Sequence, residues 1–163
     1  MRRSAMFDPL VNTPLLDEIN GAGNWFRAKR KRPVWAKRID CATDVETMEG
    51  VIAANTGDYL CRGELGEFWP QPSENLLCNY DATKTVDGDG FRLFLPARSQ
   101  PGVLAVQMKR KFTIQTKEGI LNGKVGDYVL KSFADRDIEY PLDLRIVDSK
   151  VFRKTYQRLQ RTN

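Results

Sequence analysis

The chain matches its own sequence at an offset of 69 residues, and this repeat constrains the fold more than any other feature. Residues 34–62 lie over residues 103–131 without a gap, and both copies carry the pattern T-x-E-G-x6-G-D-Y. The identical pairs are Val34/Val103, Ala36/Ala105, Thr47/Thr116, Glu49/Glu118, Gly50/Gly119, Gly57/Gly126, Asp58/Asp127 and Tyr59/Tyr128. Self-similarity at a fixed spacing indicates that one structural unit occurs twice. We therefore expect an internal duplication that gives two similar lobes.

Each copy has the pattern of short strands followed by a helix. Residues 112–116 alternate apolar and polar side chains with a period of two, which is typical of a half-buried strand. Gly126-Asp127 is turn chemistry, residues 138–140 are predicted as a further strand, and a helix follows with Asp148 or Ser149 as its cap. The predicted fold class is α+β: two β-rich lobes, each a few short, mainly antiparallel strands closed by a short helix.

The composition along the chain suggests four segments. Residues 1–33 are predicted to form an N-terminal arm with a short helix and a basic run. The first lobe covers residues 34–80, and residues 81–102 form a connector with a candidate strand. The second lobe covers residues 103–163 and ends in the C-terminal helix.

Residues 103–157 resemble the PGDYG-type family, which comprises small, uncharacterised bacterial and phage-associated proteins. The resemblance rests on the T-x-E-G-x6-G-D-Y pattern, the aromatic-Pro step at Tyr140-Pro141 and a helix that ends in Thr155-Tyr156. Thr56 and Val125 stand where the family has its leading proline, and neither copy has a glycine after the tyrosine. The family has no assigned activity, so the resemblance implies a fold unit in two tandem copies and no function.

The absence of histidine excludes several kinds of chemistry. Ser-His-Asp and Cys-His nucleophiles need an imidazole, and so do histidine-ligated zinc, haem and non-haem iron sites. Cys41, Cys61 and Cys78 are odd in number and lack a close CxxC pair, which argues against a disulfide framework and a four-cysteine zinc site. We expect reduced thiols, no metal and no cofactor, and we expect binding in preference to enzymatic activity.

Several residues that are identical in the two copies are candidates for a ligand site. Tyr59 and Tyr128 follow Gly-Asp, where glycine would take a positive φ and aspartate would cap a turn; a ligand role is the alternative. Glu49 and Glu118 each precede a glycine and could meet at a pseudo-twofold axis, where two carboxylates would share a proton or a metal ion. The simpler interpretation is that each glutamate satisfies backbone donors at a bend.

The basic run is the main candidate for partner binding. Its residues, with the aromatic pair before them, are Trp25, Phe26, Arg27, Lys29, Arg30, Lys31 and Arg32. The net charge is +5, so the five basic residues account for the whole excess. The leading hypothesis is a non-enzymatic interaction protein, an accessory subunit that docks through its arm on other protein subunits of a larger assembly. The alternatives are a small-ligand binder or carboxylate-based enzyme with a site between the lobes, and nucleic-acid binding through residues 25–35.

The sequence also bears on location. No apolar stretch approaches the roughly 20 residues of a transmembrane helix, and no long apolar region follows the basic start. We expect an intracellular, cytoplasmic, soluble protein, with an organelle matrix such as that of mitochondria as the alternative.

Overall fold

A computed structural model describes residues 8–117 and 119–159 of the chain. This part of the chain contains fourteen strands and three short α-helices, with 3₁₀ turns at Pro9–Asn12 and Phe133–Asp135. All of its strand ladders are antiparallel. The protein is therefore β-rich, in agreement with the predicted α+β class.

The elements follow one another along the chain with short connections. The helices are α1 (Thr13–Ala22), α2 (Ser73–Asn79) and α3 (Ser149–Thr155). The strands are β1 (Phe26–Arg30), β2 (Val34–Arg38), β3 (Thr43–Thr47), β4 (Gly50–Ala54), β5 (Tyr59–Arg62), β6 (Phe68–Gln71), β7 (Tyr80–Val86), β8 (Arg92–Pro96), β9 (Val103–Gln107), β10 (Phe112–Thr116), β11 (Gly119–Gly123), β12 (Tyr128–Ser132), β13 (Leu144–Val147) and β14 (Tyr156–Arg158).

Ten strands form two five-stranded sheets whose strand orders correspond. Sheet I has the order β6-β5-β2-β8-β7, and sheet II has the order β13-β12-β9-β1-β14. β8 lies between β2 and β7, whereas the equivalent place in sheet II is taken by β1, which lies between β9 and β14. The other four strands of sheet II all follow β8 in the chain, and the other four strands of sheet I all lie between β1 and β8 in the chain. The region expected to be an arm contributes β1, and the expected connector contains β8 and most of β7.

The remaining strands form two hairpins that contact each other. Hairpin I consists of β3 and β4, and hairpin II consists of β10 and β11. In hairpin I the Thr47 hydroxyl donates to the Gly50 carbonyl at 2.7 Å, and in hairpin II the Thr116 hydroxyl donates to the Gly119 carbonyl at 3.0 Å. The T-x-E-G pattern is thus a hairpin turn that the threonine closes. β4 packs against β11, so the two hairpins contact each other.

The Gly-Asp-Tyr segments form the same turn in both places. Gly57 and Gly126 have φ angles of 93° and 94°, a region that favours glycine. The carboxylates of Asp58 and Asp127 each accept a hydrogen bond from the backbone N–H three residues earlier, at 2.9 and 3.1 Å. The turn chemistry predicted for this segment is confirmed.

The N-terminal helix is part of the core. Leu15, Leu16 and Ile19 lie on one face of α1 and are buried. They pack with residues of hairpin II and of sheet II, including Ile114 and Val129. These three apolar side chains of the predicted arm are therefore buried within the protein itself.

One predicted strand is wrong. Residues 138–140 form a bend, and the edge strand of sheet II is β13 instead. Leu144 and Ile146 alternate toward the interior with a period of two and are buried, whereas Ile138 and Tyr140 are exposed. The helix cap is as predicted: Asp148 accepts from the backbone N–H groups at the start of α3.

Candidate functional site

A cleft of ≈ 350 Å³ has walls from both sheets. Sheet I contributes β6 and the start of β7, and sheet II contributes β13 and the junction between α3 and β14. Hairpins I and II, the connection between β1 and β2, and the loop between β5 and β6 also line the cleft. The volume lies within the range of about 300–1,000 Å³ that is usual for small-molecule sites.

Arg30 is the buried cation of this cleft. It is the last residue of β1, opposite Tyr156 in the ladder, and only 7% of its surface is exposed. Its backbone N–H donates to the Gln100 side-chain oxygen at 2.8 Å, and its carbonyl accepts from the Gln100 side-chain nitrogen at 2.9 Å. Gln100 therefore fixes the backbone from which the guanidinium projects.

The guanidinium of Arg30 lies against two tyrosine rings. Its carbon is 4.8 Å from the ring centre of Tyr156 and 5.4 Å from that of Tyr80. Within residues 8–117 and 119–159 it forms no ion pair with a carboxylate. Burial disfavours the charge, but the Tyr156 and Tyr80 oxygens offset this effect, and the pKa of Arg30 is raised above its usual value. The side chain is therefore a permanent cation with aromatic neighbours.

The two tyrosines occupy equivalent places. Tyr80 begins β7 directly after α2, and Tyr156 begins β14 directly after α3. Burial raises the pKa of Tyr80 to about 12, so its phenol stays protonated at physiological pH. The Tyr156 hydroxyl is buried and has no hydrogen-bond partner in the described part of the chain.

Glu67 and Gln71 are two further polar residues of the wall beside sheet I. Both carboxylate oxygens of Glu67 are buried and lack a hydrogen-bond partner among the described residues. The thiol of Cys61 accepts a hydrogen bond from Gln71 at 3.1 Å. Burial raises the pKa of Cys61 to about 11, so this cysteine is an unreactive thiol.

Glu49 lies at the edge of the cleft, in the turn of hairpin I. Its carbonyl accepts a hydrogen bond from the backbone N–H of Asn122 at 3.0 Å, which ties hairpin I to hairpin II. Burial, and then the charge of Asp127, raise the pKa of Glu49 to about 7, while Lys124 acts in the opposite direction. A carboxyl group with this pKa can take up or release a proton near neutral pH.

Lys124 forms ion pairs with Asp127 and Asp148, the two carboxylates whose charges act on Glu49. Its ammonium nitrogen is 2.9 Å from an Asp127 oxygen and 2.7 Å from an Asp148 oxygen. Asp127 belongs to the Gly-Asp-Tyr turn and Asp148 caps α3, so one lysine connects the turn to the helix. These two carboxylates are therefore satisfied within sheet II's half of the protein.

The structure separates the residues that the sequence grouped as ligand candidates. The ring of Tyr59 packs edge-on against Phe94 at 5.8 Å, and the ring of Tyr128 stacks on Phe152 at 3.9 Å. Both tyrosines thus pack against the cores of their sheets, and neither lines the cleft. Glu49 lines the cleft, and Glu118 lies outside the described residues.

The basic run is distributed over a strand. Trp25 and Phe26 pack against core clusters, and the Arg27 guanidinium lies 3.8 Å from the Phe133 ring centre. Lys29 is half-buried beside the buried Arg30. The two exposed basic residues are Lys31 and Arg32, in the connection to β2.

The repeat pattern does not mark Tyr80, Tyr156 or Glu67, which all line the cleft. The available signal was the tyrosine that directly follows each of the two short helices, since both tyrosines flank Arg30. Nothing local distinguishes Glu67 from an exposed loop carboxylate.

Across the described residues, no helix is long and apolar enough to cross a membrane, and no three acidic or cysteine side chains are grouped as a metal site would require. The chain matches no family model, no curated protein and no solved structure.

Proposed function

We propose that the protein binds a small ligand in the cleft between sheet I and sheet II. The observation that supports this most is the Tyr156 hydroxyl, which is buried at the cleft and lacks a partner in the described structure. Burying a hydroxyl without a hydrogen bond costs roughly 1–3 kcal/mol. A ligand group that bonds to it recovers that energy only when the cleft is occupied.

The composition of the wall supports the same proposal. Trp69 and Tyr80 supply aromatic surface, and Arg30, Glu67 and Tyr156 supply polar groups. Ligand sites typically combine a mainly apolar wall with a few polar groups that fix orientation.

The proposal can be tested by blocking the cleft. Ala53 is an exposed residue of β4 that lines the cleft, whereas Ala82 is an exposed residue of β7 outside it. We expect saturation-transfer NMR with a fragment mixture of acidic, basic and neutral compounds to detect binding to the wild type and to Ala82→Trp. Ala53→Trp should lose that binding. Equal binding by both variants, or no binding by the wild type, contradicts the proposal.

We further propose that residues 26–86 and 92–158 are copies of one unit. The sequence identities support this, as do the corresponding strand orders of the two sheets and the identical Gly-Asp-Tyr and T-x-E-G turns. In this view β1 and β8 are equivalent strands that have exchanged places. The PGDYG-type resemblance concerns the same unit and stays a prediction.

Protein docking is a second proposal, which a different observation supports. Leu10 and Val11, before α1, are 74% and 54% exposed. An accessory subunit could use this apolar patch with the exposed Lys31 and Arg32. Ligand binding ranks first because α1 and β1, the main parts of the expected arm, are packed into the fold.

A further inference from the structure

We propose that Arg30 anchors an oxyanion, a carboxylate or phosphate group, of the ligand that occupies the cleft. This inference rests on the proposed ligand-binding function and adds to it the chemical class of the ligand.

The first argument is the unbalanced charge of Arg30. Burying a cation is costly unless a counter-charge and hydrogen bonds compensate for it. Arg30 is 7% exposed, lines the cleft and has no carboxylate partner in residues 8–117 and 119–159. Aromatic rings compensate for a buried cation only in part. The missing counter-charge is most simply supplied by the ligand.

The second argument is that none of the cleft's acidic side chains, Glu49 and Asp58 included, forms an ion pair with the Arg30 guanidinium within the described part of the chain. Asp148 pairs with Lys124 and caps α3. The Glu67 carboxylate folds over Gly63, where a Cβ atom would lie on top of its oxygen. Glu64 and Asp143 are exposed. The position of the guanidinium is therefore open to an anion from outside the chain.

The third argument is the set of donors around the guanidinium. Arginine presents a planar fork of N–H groups that fits carboxylate and phosphate oxygens. Among the described residues the Tyr156 hydroxyl has no hydrogen-bond partner, and the Tyr80 phenol is protonated at physiological pH. Both rings lie against the guanidinium, so an oxyanion here has an arginine and phenolic O–H groups as neighbours.

The test uses three probes of similar size: benzoate, phenyl phosphate and the neutral benzamide. The thermal midpoint of the full chain is measured with each probe, up to a concentration about 100-fold above the Kd of the best one. We expect benzoate or phenyl phosphate to raise the midpoint by about 5–10 °C. The more effective of the two identifies the oxyanion as carboxylate or phosphate, and benzamide should have little effect.

Arg30→Met is the main variant, and Lys31→Gln is its control, because Lys31 is an exposed neighbour with the same charge. Arg30→Met should melt no lower than the wild type, since it removes an unpaired buried charge, and should lose the shift caused by the anion. Lys31→Gln should keep that shift. If Arg30→Met does not fold, Arg30→Lys replaces it; it keeps the charge, lacks the fork and should bind the anion about tenfold more weakly.

The outcomes separate this inference from the proposed function. If benzamide stabilises the protein as well as benzoate does, or if Arg30→Met or Arg30→Lys keeps full anion binding, the oxyanion proposal is overturned while binding in the cleft stands. If the anions have no effect but other fragments bind in a way that Ala53→Trp abolishes, the same conclusion follows. If no compound binds, both proposals are lost.

Discussion

Gly50 and Gly119 each stand against a backbone carbonyl of the other hairpin. A Cβ atom on Gly50 would lie 2.9 Å from the carbonyl oxygen of Ile120, and one on Gly119 would lie 2.6 Å from that of Val51. The contacts are reciprocal, because Gly50 and Gly119, like Val51 and Ile120, are matched positions of the repeat. Glycine is required here by the close approach of two backbones, which explains the T-x-E-G pattern in both copies.

Gly119→Ala should therefore destabilise the protein. The substitution adds a Cβ atom that clashes with backbone, at a φ angle of 151°. We expect a loss of about 2–4 kcal/mol in the free energy of unfolding, measured by urea denaturation. Gly21→Ala is the control, because Gly21 lies in α1 with open space around it, and it should gain about 0.5–1 kcal/mol. Equal effects of the two substitutions would contradict the contact.

Phe152→Ala tests the packing of α3. The Phe152 ring stacks between those of Tyr128 and Tyr156, with centroid distances of 3.9 and 4.9 Å. Removing it should cost roughly 3–5 kcal/mol. Leu77→Ala on α2 removes a side chain that is 55% exposed and should change stability by less than about 0.5 kcal/mol. An unchanged thermal midpoint for Phe152→Ala would show that α3 is not docked.

Glu49 should make stability depend on pH. Its pKa is raised from 4.5 to about 7 in the folded protein, so the folded state holds the proton more tightly than the unfolded state. The favourable contribution of the protonated group is present below about pH 4.5 and is lost as the pH rises to about 7. Glu49→Gln should thus be about 1–2 kcal/mol more stable than the wild type at pH 8, after screening by solvent at this half-buried site.

The control for this pH effect is Glu46→Gln, which changes an exposed glutamate of β3. It should leave the difference between urea unfolding at pH 4 and pH 8 as in the wild type. If Glu49→Gln also leaves that difference unchanged, burial does not govern the Glu49 carboxyl.

Asp127→Ala should cost more than the matched Asp58→Ala. Asp127 is 1% exposed and accepts hydrogen bonds from both the backbone and the ammonium of Lys124. Asp58 makes the same turn bond and is half-buried. We expect losses of about 2–3 kcal/mol for Asp127→Ala and about 1 kcal/mol for Asp58→Ala. Asp127→Ala removes a charge-assisted hydrogen bond as well as the turn bond from a buried carboxylate, whereas Asp58→Ala removes the turn bond of a half-buried one. The reverse order in chemical denaturation would contradict the role of the Lys124 pairs.

The sequence predicted those elements whose signals are local. The alternation in residues 112–116 and the cap at Asp148 depend on near neighbours, and both predictions are confirmed. β1 could not be predicted, because its ladder partners are far away along the chain and its basic residues resemble a solvated run. Within it, Arg27 lies against Phe133 and Arg30 against two tyrosines, and these aromatic contacts exist only after both sheets have formed.

The same limit applies to the candidate site. The repeat marks Glu49, and Glu49 lines the cleft, while its role as a ligand residue stays a prediction. Tyr59 and Tyr128 are also identical in the repeat, but for a different reason: their rings pack against the hydrophobic cores of sheet I and sheet II. A residue repeated in the sequence therefore reports a repeated structural role. Arg30, the buried cation of the cleft, is not repeated: β8, which takes the corresponding place in sheet I, ends in Pro96.

β1 and β8 connect the two sheets to each other. β1 lies in sheet II, and residues 31–33 connect it to β2 in sheet I. β8 lies in sheet I, and the chain then continues into β9 in sheet II. If the chain were cut between β7 and β8, the two fragments would remain associated, because each five-stranded sheet contains one strand from the other fragment. Heating should consequently melt the molecule in a single cooperative transition, because neither sheet can come apart without opening the other.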